Sequence, residues 1–264
     1  RYRKLERDIP QTKWPCRDCN GTGRQRDELC DGCDGTGYRY DESVEQLTAP
    51  VVEDAMNGDG ATFHGAGRED VDALMLGGGR PFVIEVDEPR VRDVDPEDLE
   101  AEINAFADGK VEVEGLRLAT HEMVERVKEH DASKTYRMDV ALEGTVTEET
   151  FDSALAELDG AIIHQDTPQR VDHRRASKTR VRQVYAIEGT LGEDGDTAEL
   201  EVHGEGGLYV KELVSSDEGR TEPSLAGLLG VDAEVTALDV LDVEGEDEPF
   251  ADEDFFRDTE PDDA

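Results

Sequence analysis

The chain has 264 residues, enough to bury a sizeable core in one large domain or two small ones. No apolar run approaches the roughly eighteen residues of a membrane span, and no signal or lipidation motif stands out, so a cytoplasmic protein with no membrane contact is expected. Its 67 Asp and Glu against 28 Lys and Arg leave a net charge of -39, which argues against an ordinary phosphate-binding surface.

The acidic excess runs along the whole chain, with Lys scarce and Arg kept. That pattern fits a protein working in concentrated salt, as in a halophilic archaeon. At ~1 M ionic strength the Debye length is only ~3 Å, so the repulsion is screened. A polyanionic partner would then be held by shape, stacking and hydrogen bonds rather than by counterion release. The sequence opens on Arg1 inside a charged run, which implies a further N-terminal portion.

Residues 1–40 carry all four cysteines as two copies of one pattern. Cys16-Arg17-Asp18-Cys19-Asn20-Gly21-Thr22-Gly23 is followed by Cys30-Asp31-Gly32-Cys33-Asp34-Gly35-Thr36-Gly37. Two such knuckles brought together give four thiolates and a closed, structural zinc site at Cys16, Cys19, Cys30 and Cys33. The alternative, a pair of disulfides, is disfavoured in the cytoplasm. A zinc-knuckle module that braces a linker is expected over 1–40, and a globular domain over 41–244.

Asp41-Glu42-Ser43 opens a helix whose inward face is Val44, Leu47, Val51, Val52 and Met56, with Gly58 as terminator and Pro50 expected to bend or split it. Phe63 to Phe82 reads FHGAGREDVDALMLGGGRPF. It sets Gly67-Arg68-Glu69-Asp70 between glycines and a strand from Phe82 to Val86, where a substrate can approach the backbone closely. An isolated tetrapeptide of this kind is more often a surface hairpin.

A helix from Asp95-Pro96 with Leu99, Ile103 and Phe106 inward, a strand over 111–120 and a short helix over 121–130 follow. His121 and His130 lack metal-spaced partners and read as surface residues. Ser133 to Arg137 leads into a strand at Met138 to Leu142, on which Tyr136 is most simply a packed aromatic. A helix over 148–158 and a short strand at 161–163 come next.

Residues 168–182, PQRVDHRRASKTRVR, hold six Lys and Arg against one Asp. Against the acidic background this reversal points to an anionic partner. Strands at 181–187 and 198–203, a segment Gly207 to Leu213 and a closing strand at 233–243 complete the domain. Residues 245–264 hold ten acidic residues and one Arg, which reads as a disordered tail.

Taken in order, these segments resemble the catalytic part of the pseudouridine synthases of the Pus-ten family, which modify T-arm uridines of archaeal and eukaryotic tRNA. The resemblance runs from about Gln11 to Val243. It implies an α+β fold built on a mixed, largely antiparallel sheet with flanking helices. It also implies Asp70 as the essential aspartate, Tyr136 stacked on the target uracil, and Lys211 paired with the aspartate. Leu213 would line the pocket, and Arg68 would bind substrate. The string from Thr167 to Arg175 resembles the family's RNA-contacting loop, which places Arg170, His173, Arg174 and Arg175 on the RNA, and the rest of the basic island adds Arg180 and Arg182.

The implied activity is isomerisation of uridine in tRNA, with no redox or nucleotide cofactor and no obligate protein partner. This agrees with the lack of a phosphate loop or dinucleotide fingerprint. Family members carry an N-terminal RNA-binding domain related to THUMP domains that this sequence lacks. Leu74, Leu208 and Glu218 depart from the family pattern, where Arg, Thr and an aromatic are usual.

Two other classes remain open. One is a non-catalytic, zinc-containing RNA-binding protein. The other is an interaction protein like the DnaJ chaperones, whose zinc repeats the knuckles also resemble.

Overall fold

The computed structural model describes residues 1–172, 177–244 and 250–257. The chain divides into two compact units, one of Arg1–His130 with Asp247–Ala264 and one of Asp131–Glu246.

The first unit opens on strand β1 (Tyr2–Lys4), followed by the cysteine module with its two-residue strands β2 (Arg24–Gln25) and β3 (Glu28–Leu29). Then come α1 (Val44–Met56), β4 (Gly60–Gly65), β5 (Leu74–Arg80), β6 (Phe82–Asp87), α2 (Pro96–Phe106), β7 (Val111–Val113) and α3 (Glu122–Glu129). β1 pairs antiparallel with both β5 and β7, and β4 pairs with β6. The first residues therefore belong to a sheet of the globular unit, not to the cysteine module. Tyr2 and Lys4 are fully buried there, which a composition reading of so short a segment cannot reveal.

Ser43 caps α1 by accepting from the Gln46 amide. The helix runs through Pro50 unbroken and ends on Asn57, in the left-handed region at φ 47°, rather than on Gly58. Asp95 caps α2 and Pro96 takes its first turn, but Phe106 is 54% exposed, so only Leu99 and Ile103 face inward. The strand expected over 111–120 stops at Val113, because the chain turns away through Gly115 at φ 68°. Tyr2, Phe63 and Phe82 form the centre of this unit, with ring centroids 5.3 to 5.7 Å apart.

The acidic segment after residue 249 is not uniformly free of structure. Phe250, Phe255 and Phe256 pack against Met123 and Val127, and the Thr120 amide donates to the Phe255 carbonyl at 2.8 Å. Arg117 pairs with Glu253 at 2.6 Å and lies over the Phe256 ring. Three aromatics among the acids bring this stretch down onto α3.

The second unit is a six-stranded sheet in the order β12-β9-β10-β11-β8-β13, all of its pairings antiparallel. Its strands are β8 (Ser133–Leu142), β9 (Ile162–Gln165), β10 (Arg180–Leu191), β11 (Thr197–Gly204), β12 (Thr221–Glu222) and β13 (Ala233–Glu244). The helices are α4 (Glu148–Leu158), α5 (Val210–Ser215) and α6 (Leu225–Leu229). Alternation sets the buried face: Met138, Val140 and Leu142 on β8 and Ala198, Leu200 and Val202 on β11 are buried, while Arg137, Asp139, Glu199 and Glu201 are exposed. The architecture is α+β.

Candidate active site

Asp70 sits half-buried on the loop between β4 and β5. Five buried side chains hold that loop. Arg80 Nε donates to Glu69 Oε2 at 2.8 Å, and its Nη1 donates to the Ala66 carbonyl at 2.7 Å. The Tyr2 hydroxyl lies 3.0 Å from both Glu69 oxygens, and Gln11 Nε2 donates to Tyr2 Oη and to the Gly67 carbonyl at 2.9 Å each. Lys4 Nζ donates to the carbonyls of Ile9, Asp70 and Val71 at 3.0, 3.2 and 2.9 Å.

Each carboxylate oxygen of Glu69 thus meets a donor, which is what a charge out of water requires. Burial lowers the Lys4 ammonium, offset in part by Glu69 and Asp72. Burial, then the Glu69 carboxylate, raises the Tyr2 hydroxyl well above its ordinary range. Gly67 is required where it stands, because its φ is 74° and a Cβ there would lie 3.2 Å from Arg80 Nη1. The consequence is a fixed backbone on both sides of Asp70. Arg68, the neighbouring candidate, is exposed.

The cysteine module has a near-twofold repeat in its bonding. The Cys16 amide donates to Gly37 O and the Cys30 amide to Gly23 O, at 2.8 and 2.9 Å. The Gly23 amide points at Cys19 Sγ and the Gly37 amide at Cys33 Sγ, both at 3.2 Å. A Cβ on Gly23 would lie 2.2 Å from Gly35 O, so the two knuckles close only because both are glycine-built.

The four sulfurs lie within 4.8 Å of one another, with Cys16 to Cys30 at 4.0 Å and Cys19 to Cys33 at 3.8 Å. A tetrahedral ion with bonds of about 2.3 Å needs edges of about 3.8 Å, so the donor set fits a metal ion. Burial pushes the Cys30 thiol up to about 12. At Cys19 burial is outweighed by the Gly23 amide and the neighbouring thiols, and the thiol falls to about 7.

In the second unit, Tyr136 occupies central strand β8 opposite Val202 of β11 and Val240 of β13. It lies on the Met138 face, half-buried where that face opens. Lys211 is half-buried on α5, and Leu213 is a core residue at 1% exposure. Lys211 and Arg170 line one open cleft of about 980 Å³ together with Glu143, Glu212, Asp217 and Glu234.

The arginines expected on an anionic partner also bond within the chain. Arg170 reaches Glu212 at 2.6 Å, Arg180 donates to Thr167 Oγ1 at 2.9 Å, and Arg182 meets Glu205 at 3.3 Å. Arg170 and Arg180 also lie 5.9 and 5.5 Å from the Tyr209 ring. His173, Arg174 and Arg175 lie outside the described residues. Glu218, where the family resemblance leads one to expect an aromatic, accepts from Gln169 Nε2 at 2.9 Å.

Sequence reasoning missed Glu69, Arg80, Tyr2, Gln11 and Lys4, as well as Glu212. Glu69 stands inside the Gly-Arg-Glu-Asp string itself, and a carboxylate beside a presented aspartate was the available signal.

A clamped loop presenting a carboxylate and a four-thiol cluster define an α+β protein with a candidate active loop and a four-cysteine module that could hold a metal ion. The chain belongs to the family described as Pus10, C-terminal, which matches residues 1–244. The tRNA pseudouridine synthase Pus10 of Halorubrum lacusprofundi is 69% identical over 257 residues, covering 97% of this chain and 60% of that protein. That of Methanothrix thermoacetophila is 50% identical over 246 residues, covering 93% and 52%. That of Archaeoglobus fulgidus is 47% identical over 243 residues, covering 92% and 65%. The chain thus spans roughly half to two thirds of the length of these relatives. No described helix is long and apolar enough to cross a membrane.

Proposed function

We propose that the chain is the catalytic part of a tRNA pseudouridine synthase acting on T-arm uridines in the cytoplasm. The observation that carries this reading is Asp70, presented on a loop whose flanking backbone is held by Lys4, Gln11 and Arg80, in a member of the Pus10 C-terminal family. In the reaction the glycosidic carbon–nitrogen bond breaks, the uracil turns, and a carbon–carbon bond forms at the same sugar carbon. The uracil carbon that joins the sugar loses its proton and the freed nitrogen gains one, so no electrons enter or leave.

The uridine must leave its stack to reach the carboxylate, at a cost of about a few kcal/mol. Asp70 acts ionised on the sugar or base, Tyr136 stacks on the extruded uracil, and Lys211 balances the carboxylate charge. Arg68 and the basic segment with Arg170, His173, Arg174, Arg175, Arg180 and Arg182 hold the RNA, and Leu213 backs the pocket. Cys16, Cys19, Cys30 and Cys33 hold one structural zinc, which supplies folding energy to the module and no step of the chemistry.

Asp70→Asn keeps shape and hydrogen bonding and removes the negative charge. Pseudouridine in a T-arm RNA incubated with the protein should vanish while RNA binding persists. Substantial product from this variant would overturn the assignment.

A further inference from the structure

The neck of the cysteine module carries a patch that neither the metal cluster nor the clamp on the Asp70 loop uses. Trp14, the single tryptophan of the chain, enters the module, and Arg39 and Tyr40 leave it. A bridge between Pro15 and Tyr38 closes the neck, and the Arg39 amide donates to the Trp14 carbonyl at 2.9 Å. The Trp14 and Tyr40 rings meet edge-on at 5.5 Å. The Arg39 guanidinium lies 5.8 Å from the Trp14 ring centre and 5.5 Å from that of Tyr40. Arg68, two residues before Asp70, lies 5.9 Å from the Trp14 ring.

Two features separate this patch from ordinary surface. Arg39 and Arg68 are exposed, and among the described residues neither has a carboxylate partner, in a chain where acids outnumber bases by 67 to 28. The same holds for Lys13, Arg17, Arg24 and Arg26, so the module keeps its cations unpaired while the rest of the chain is strongly acidic. Second, both rings are only half-buried, although a small module gains most by enclosing its aromatics. A half-open, edge-to-face aromatic pair with guanidinium groups beside it suits a flat aromatic ligand carrying negative charge.

We propose that Trp14, Arg39, Tyr40 and Arg68 form a platform on which an unpaired nucleotide of the substrate RNA stacks. The proposal rests on the reading of the chain as an RNA-modifying enzyme and adds a contact surface to it. In concentrated salt, phosphate attraction adds little, and base stacking becomes the main source of affinity. The position of Arg68 in the Asp70 loop ties this contact to the delivery of the target uridine.

Because Trp14 is the single tryptophan, its emission reports the patch directly. The 264-residue chain carrying Asp70→Asn, which leaves the RNA unconverted, is titrated with a T-arm stem-loop RNA in molar KCl. The expected result is saturable quenching that follows binding measured independently by anisotropy of labelled RNA. Arg39→Gln should weaken binding about fivefold and Trp14→Ala about tenfold, at the lower end of base–aromatic stacking. Arg39→Lys should restore little, since an ammonium does not stack.

In the active protein the loss should fall on KM rather than kcat. Arg39 is exposed, so its variants should keep the parent melting temperature and metal content. RNA binding that leaves Trp14 emission unchanged and is indifferent to Arg39→Gln would overturn the platform and leave the enzyme reading intact. Absence of both RNA binding and pseudouridine would end the enzyme reading and the platform with it.

Discussion

Two arginine–glutamate pairs, one in each unit, show how differently the same chemistry can be used. The side chains of Glu69 and Arg80 are 0% and 1% exposed, and Tyr2 and the Ala66 carbonyl add further hydrogen bonds to them. Glu212 is 6% exposed, but its partner Arg170 keeps 43% of its side chain in solvent. The enclosed pair is shielded from water and therefore holds the Asp70 loop in one geometry. The open pair meets water on its arginine side, where Arg170 can face an anionic partner without leaving Glu212. Under the proposed function, the first presets geometry and the second is a solvent-facing grip.

The strongest way to break this contrast is to uncouple the enclosed pair. Arg80→Met leaves Glu69 buried without its cation and should cost about 3–5 kcal/mol by denaturant melts in molar KCl. Adding Glu69→Leu should recover most of that loss, because no buried charge is then left. A single variant costing under about 1 kcal/mol would mean water reaches the pair.

A smaller effect is expected at Tyr2, where Tyr2→Phe removes one donor to Glu69 and should cost about 1–3 kcal/mol. The pH dependence sharpens the point. A tyrosine in the unfolded chain ionises near 10, whereas burial and then Glu69 hold the folded one well above. Above pH 10 the unfolded chain sheds this proton and the folded chain keeps it. The contribution of Tyr2 is therefore complete below pH 10 and is lost as pH rises beyond it. The melting temperature of Tyr2→Phe should fall less steeply than that of the parent above pH 10, and parallel curves would count against a buried hydroxyl.

The smallest effect belongs to the open pair. Glu212→Gln keeps shape and a hydrogen-bond acceptor, and should cost under about 1 kcal/mol. Freed of its carboxylate, Arg170 should bind T-arm RNA as well as or better than before. A clear loss of RNA affinity would show instead that Glu212 holds Arg170 in its working position.

Much was legible from local pattern. Two glycine-rich Cys-x-x-Cys strings foretold the four-sulfur cluster, since within each string the cysteines and the glycine turns beside them span only eight residues. Thr147 caps α4 by accepting from the Thr150 amide, and the helix ends at Leu158 as its periodicity indicates. The strands expected at 138–142 and 198–203 fall within β8 and β11.

What stayed hidden depends on partners far along the chain. Three residues at β1 carry no period, so nothing local marks Tyr2 and Lys4 as buried under the Asp70 loop; Glu69 is sixty-seven positions from Tyr2. Pro50 reads as a helix breaker, yet α1 continues through it. Phe106 fits the inward face of α2 by spacing but meets no layer there. The same holds for charge: the sequence counts six cations in the basic segment, while only the tertiary structure shows Arg170 spent on Glu212 and Arg39 unspent beside Trp14. Local pattern alone sufficed for the four-cysteine cluster, the main helices and the family. The tertiary structure decided which charges are enclosed, because burying a charge requires donors that only long-range packing brings within hydrogen-bond distance.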